Sequence, residues 1–131
     1  MQSFNVSTKD HCQFVNIDRQ VQQIVSDSGT KTGICHVFVP HTTAGVTINE
    51  NADPAVVEDI ESTLDKLVPW RDNYRHAEGN SAAHVKASMM GFSETILIQD
   101  GKLALGTWQS VYFCEFDGPR TRKVWVQIIN A

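Results

Sequence analysis

The sequence predicts an α+β domain built mainly on antiparallel β-sheet, with about three helices. Three observations carry this. Strand-like and helix-like segments follow one another as ββ-α-ββ-αα-ββββ, without the one-for-one alternation of a doubly wound parallel sheet. The later strand patterns are separated by turn residues, Asp100-Gly101 and Asp117-Gly118-Pro119. No linker, charge block or internal repeat divides the 131 residues, so 1–131 reads as one continuous domain.

Each element has a local reason. Residues 2–8 and 11–17 look extended around the turn residues Lys9-Asp10, as in a hairpin. Ile17, Val21, Ile24 and Val25 recur at helical spacing and Gly29 follows as a stop, which places a helix over 18–28. Ile34 to Val39 is an apolar, β-branched run ending at Pro40. Ala44, Val46 and Ile48 alternate with Gly45, Thr47 and Asn49, the period of a half-buried strand. Asp53 and Pro54 open a helix whose stripe is Val56, Val57, Ile60, Leu64, Leu67 and Val68, with Pro69 as its stop. Asn80 caps a shorter helix over 81–90, closed by Gly91. Strands are then predicted over 94–99, 102–105, 108–116 and 120–129.

Composition narrows the function. Eleven Lys+Arg against 15 Asp+Glu leave a formal charge of −4, which argues against nucleic-acid binding through phosphate neutralisation. No apolar run approaches the roughly 18 residues of a membrane span, and the opening Met1 to Asp10 has no signal-peptide core, so no membrane partner is expected. Cys12, Cys35 and Cys114 are odd in number and widely spaced, which favours free thiols and a reducing cytoplasm.

Five histidines draw attention, because imidazole is a common metal ligand and general base. His11 falls at a turn, and His36, inside an apolar strand, reads as a satisfied core histidine. His41 ends a buried strand and is followed by Thr42-Thr43, a place where a rigid scaffold presents reactive groups. His76 sits in a polar loop with Arg75, and His84 on the first turn of the helix that this loop opens. None has a local zinc spacing, so whether His41, His76 and His84 meet is a tertiary question. Gly79-Asn80-Ser81 reads either as an ordinary helix cap or as an anion site made of free N–H groups and the helix dipole. Trp108 and Gln109, after Gly106-Thr107, read as a core aromatic beside a turn or as a stacking wall for a flat heterocycle. Arg120, held at a strand start by the turn before it, suits a phosphate or carboxylate; with Arg122 and Lys123 it also reads as a solvated strand face, the usual fate of such a run. Glu50 shares the face of Ala44, Val46 and Ile48, and a carboxylate there is a candidate general base or a partner that orients a ligand.

Taken together and in order, these motifs resemble the YjbQ-like family, whose members carry the description of secondary thiamine-phosphate synthase enzymes. The stretch Ser93 to Val111, with its Gly106-Thr107-Trp108-Gln109, is similar to the family's signature. So are His41-Thr42-Thr43-Ala44, Ile48-Asn49-Glu50, Tyr74-Arg75-His76 with Gly79-Asn80 and Ala83-His84, and Glu115 to Arg120. The resemblance implies a compact α+β homotrimer with a site around His41, His76 and His84. It also implies an activity that joins a pyrimidine-methyl diphosphate to a thiazole phosphate. On that basis the three histidines are expected to hold a divalent, zinc-like metal, with Glu50, His41 and His84 as catalytic groups. Thr42, Asn80, Ser81, Trp108, Gln109 and Arg120 are expected to bind the phosphorylated substrate, with Trp108 or Arg120 near a subunit boundary. The alternative is a non-catalytic module that binds a metal or phosphorylated ligand in the same pocket.

Overall fold

The computed structural model describes residues 1–131. Eight strands and three helices run in the order β1 (Gln2–Ser7), β2 (Gln13–Asn16), α1 (Asp18–Ser28), β3 (Thr32–Phe38), β4 (Ala44–Glu50), α2 (Pro54–Leu67), α3 (Ser81–Met90), β5 (Ser93–Gln99), β6 (Lys102–Leu103), β7 (Gln109–Glu115) and β8 (Thr121–Asn130). The α+β class and all three helices match the expectation, and every strand pairing is antiparallel.

The strands form two sheets rather than one. The larger has the order β1-β8-β3-β5-β6 and the smaller β2-β7-β4. The expected hairpin between the first two strands is therefore absent: β1 pairs with β8, and β2 pairs with β7. Residues 8–12 do not turn back on themselves but carry the chain from one sheet to the other. Gln13 Oε1 accepts the Lys9 N–H at 2.8 Å in that crossing.

Alternation explains how the sheets stack. Val6, Cys35, Val37, Ile96, Ile98, Val124 and Val126 line the inner face of the larger sheet. They pack on Ala44, Val46, Val111 and Phe113 of the smaller one, with Ile17, Val21 and Val25 at α1 completing the core. The smaller sheet is covered on its other face too. Tyr112 and Cys114 meet Leu64 of α2 and Ala83 and Ala87 of α3. β7 is thus buried on both faces from Ser110 to Glu115. Close approach of α3 is possible because position 45 is glycine: a Cβ there would lie 2.6 Å from the Gly91 carbonyl oxygen. Lys86 of α3 is buried and forms an ion pair with Asp65, which ties α3 to α2.

His36 is not a core residue. It lies on the outer face of the larger sheet, half-buried, with Nδ1 and Thr95 Oγ1 2.9 Å apart. That face is apolar for a surface: Leu97 and Ile129 are 64% and 55% exposed, and Phe38 stacks on Trp125. None of the helices is long and apolar enough to cross a membrane.

Phe113 is wholly buried at the centre of the inter-sheet core. Phe113→Ala is expected to cost about 3–5 kcal/mol in unfolding free energy, measured by urea denaturation, because the cavity cannot close between two sheets.

Candidate functional site

β7 and β8 each carry a charged residue on an otherwise apolar inner face. Glu115 follows Val111 and Phe113 at two-residue spacing, and Arg122 precedes Val124 and Val126. The two side chains meet between the sheets, 0% and 3% exposed. Arg122 Nε donates to Glu115 Oε1 at 2.9 Å, and its Nη2 pairs with Oε2. The carboxylate also accepts from Thr8 Oγ1 at 2.8 Å and from the Asp117 N–H at 3.1 Å. Arg122 Nη2 reaches on to Thr43 Oγ1 at 2.8 Å. Burial pushes the Glu115 pKa up, but the hydrogen bonds from Arg122, Thr8 and Asp117 outweigh it and leave the carboxyl below its ordinary value. The turn beneath fits only glycine: a Cβ on Gly118 would sit 2.4 Å from the Asp10 carbonyl oxygen and 2.9 Å from Glu115 Cγ. Arg122 is therefore not part of a solvated strand face, as the sequence alone would allow. It is the cation of a buried network linking β1, β4, β7 and β8.

Above this network lies a polar pocket. It is lined by Pro40, His41, Thr42, Thr43, His76, Glu78, Asn80, His84, Arg120 and Arg122. His41, His76 and His84, far apart in sequence, face one cavity. His76 and His84 touch edge to face with ring centroids 5.3 Å apart. His41 Nε2 accepts the Lys123 N–H at 2.8 Å. Burial, and next the Arg122 charge, holds the His41 pKa below its ordinary value.

The start of α3 opens on the same pocket. The Asn80 side chain makes no cap bond; its Nδ2 donates instead to Asp117 Oδ2 at 2.9 Å, which Arg120 Nη2 also holds at 3.0 Å. Asn80 is buried, and its Oδ1 has no partner. The first turn of α3 therefore has no capping side chain; the Asn80 carbonyl takes the Ala83 N–H at 3.0 Å, and the positive end of the helix dipole lies toward the pocket that Asn80 lines. Arg120 is half exposed and anchored by the Asp117 carbonyl and carboxylate. Arg122 Nη1 has no hydrogen-bond partner within the protein and is not sealed from solvent.

A metal held by all three histidines does not fit this arrangement. Lys123 occupies His41 Nε2, and no group of three or more His, Cys, Asp or Glu side chains converges with metal-binding geometry. The structure also separates residues that the sequence reading placed together. Glu50, Trp108 and Gln109 lie at the other end of β4 and β7, since Glu50 pairs with Gln109 while Ala44 pairs with Glu115. Six residues of strand put them about 20 Å from the histidines. Trp108 is 62% exposed, so it is not a core aromatic, and Gln109 Oε1 accepts the Gly106 N–H at 2.8 Å. Thr42 is in the pocket lining, and Ser81, the first residue of α3, is not. Thr43 and Glu115 stand inside the motifs and Arg122 just beyond one, but the sequence reading gave none of the three a binding or catalytic role.

Comparison with known proteins places this geometry. The family model described as UPF0047 protein YjbQ-like matches residues 2–131. The chain belongs to the UPF0047, YjbQ-like family. It is 50% identical over 127 residues to UPF0047 protein MJ1081 of Methanocaldococcus jannaschii, covering 97% of this chain and 92% of that protein. It is 42% identical over 131 residues to UPF0047 protein YugU of Bacillus subtilis, covering 99% of each. Its fold superposes on a crystallised YjbQ/UPF0047-family protein from Clostridium acetobutylicum with a TM-score of 0.97 at 54% identity, covering 98% of this chain and 100% of that one. A conserved protein from Thermus thermophilus gives a TM-score of 0.92 at 44% identity, over 98% and 100% of the two chains.

Two outcomes follow from the buried pair of this YjbQ-like chain. Glu115→Gln, which leaves the Arg122 charge without its partner, is expected to cost about 3–5 kcal/mol in chemical denaturation. The pH dependence has a definite sign, because the folded Glu115 pKa lies below the ordinary 4.5. The pair's stability is fully present above that value and is lost as pH falls through the depressed folded pKa. An acid titration of the unfolding free energy is expected to show this loss in the wild type and a smaller one in Glu115→Gln.

Proposed function

We propose that the pocket binds the diphosphate or phosphate of a small phosphorylated substrate, and that the protein is an enzyme of the thiamine-phosphate synthase type. The observation that carries this reading is the gathering of two arginines, three histidines and an uncapped helix start around one cavity. Nearly all of these groups donate hydrogen bonds, as an oxyanion requires.

The reaction joins a pyrimidine-methyl diphosphate to a thiazole phosphate. The methylene C–O bond breaks and its electron pair leaves with pyrophosphate, while the thiazole nitrogen lone pair forms the new C–N bond. The step needs no general base, so the distance of Glu50 from the pocket is no obstacle to it. Its demand is charge stabilisation on the departing diphosphate. Arg120, Arg122 and the first turn of α3 are suited to that demand, and His41 and His84 are suited to hold the leaving group in place. A divalent metal, if bound, would supply further charge neutralisation; His76 and His84 are the imidazoles whose ring nitrogens are free of such a backbone bond.

A homotrimer is part of the proposal. The exposed apolar outer face of the larger sheet suits burial against other copies. Trp108, exposed at the end of β7 away from the histidines, suits a wall contributed to a neighbour's pocket. The three free cysteines suit a reducing cytoplasm.

Purified wild-type protein is expected to turn over the two phosphorylated substrates. Single replacements of His41, His76 and His84 by Ala are expected to lower kcat/KM by about 10²-fold or more while leaving the protein folded. Unchanged turnover in all three variants would remove the pocket from the reaction. Stoichiometric binding of pyrophosphate without turnover would make the protein a ligand-binding module instead.

A further inference from the structure

We infer that His41 serves the pocket as a neutral hydrogen-bond donor of fixed tautomer, giving its Nδ1–H to an oxyanion of the ligand, and not as a metal ligand. The inference deepens the proposed function and rests on its reading of the pocket as an anion site.

The geometry begins in the sheet. The ladder between β3 and β8 runs as far as the Phe38–Trp125 pair. Pro40 then turns the chain out of the sheet, so no β3 carbonyl faces the Lys123 N–H beyond that pair. His41 Nε2 takes the vacant place and accepts that N–H at 2.8 Å. A neutral imidazole has one protonated and one unprotonated nitrogen. Because a backbone N–H can only donate, Nε2 must be the unprotonated one and the proton resides on Nδ1. Nδ1 has no partner within the protein and is not sealed from solvent, in a residue that lines the pocket.

Each route to metal ligation works against this arrangement. Binding through Nε2 would break the Lys123 hydrogen bond. Binding through Nδ1 would displace the remaining ring proton and leave an imidazolate. Arg122, 3% exposed and with Nη1 unpartnered, lines the same cavity, and its positive charge disfavours a cation at His41. Donation to an oxyanion requires none of these changes. Nδ1–H of His41 and Nη1 of Arg122 then form two preorganised donors, one neutral and one charged, on adjoining walls.

The test is long-range proton–nitrogen correlation NMR on protein labelled with 15N in histidine and arginine, with His41→Ala to assign the ring. The expected spectrum shows a protonated Nδ1 and an unprotonated Nε2 for His41 at neutral pH. Inorganic pyrophosphate should shift the His41 Nδ1–H and Arg122 Nη resonances, and Zn²⁺ alone should leave both His41 nitrogens unmoved. His41→Ala should weaken pyrophosphate binding by about three- to tenfold, the value of one neutral hydrogen bond. A protonated Nε2, or a Zn²⁺-induced shift at either His41 nitrogen, overturns the inference. Pyrophosphate that moves Arg122 but not His41 also overturns it, and leaves the anion site standing. Pyrophosphate that moves neither residue overturns the anion site itself and the role of His41 with it.

Discussion

The structure depends on one buried ion pair. Glu115 and Arg122 come from different sheets and meet where the apolar core between them ends. Two charges in such a place carry a large desolvation cost, and the site is tolerable only because nearly every lone pair and proton is matched. Thr8, Thr43 and the Asp117 backbone supply those matches, and each stands at the end of a different element. The pair therefore sets where β1 ends, where β4 begins and how the turn after β7 is folded. Apolar residues in its place could fill the core, but would not hold those ends in position.

The functional pocket inherits this precision. Its floor is the guanidinium of Arg122, and Asp117, in the turn fixed by the network, holds both Asn80 and Arg120. The start of α3 is left without a side-chain cap because Asn80 is engaged there. A side chain that would ordinarily cap the helix is thus engaged with Asp117 instead, at the wall of the pocket. Stability and the proposed ligand recognition thus draw on the same side chains, Arg122 and Asp117.

Much of the fold was legible in the sequence because its signals are local. Asp53-Pro54 opens α2 with an Asp53 side chain that accepts the Ala55 N–H, and Gly29 closes α1 in a left-handed conformation. The division into two sheets was not legible, because Lys9-Asp10 has the composition of a hairpin turn and nothing local distinguishes a turn from a crossing. His41, His76 and His84 line one pocket, but the ring nitrogens of His41 are governed by a backbone N–H 82 residues away in sequence. Glu50 and Trp108 were grouped with them by motif membership, whereas antiparallel register sends them to the opposite end of the strands. The buried pair did leave a trace: Glu115 and Arg122 interrupt two apolar alternations, with opposite signs, on either side of one turn.

The central claim is that the free edge of a buried arginine, held by Glu115, recognises the anion. Calorimetric titration of inorganic pyrophosphate into the wild type and into Arg122→Lys tests it most directly, with melting temperatures recorded alongside. Lysine keeps the charge but cannot both hold the carboxylate in a bidentate manner and present a second nitrogen to the pocket. The account predicts that Arg122→Lys stays folded and binds pyrophosphate at least tenfold more weakly, on the order of one charge-assisted hydrogen bond. Equal affinity in the two folded proteins would contradict it.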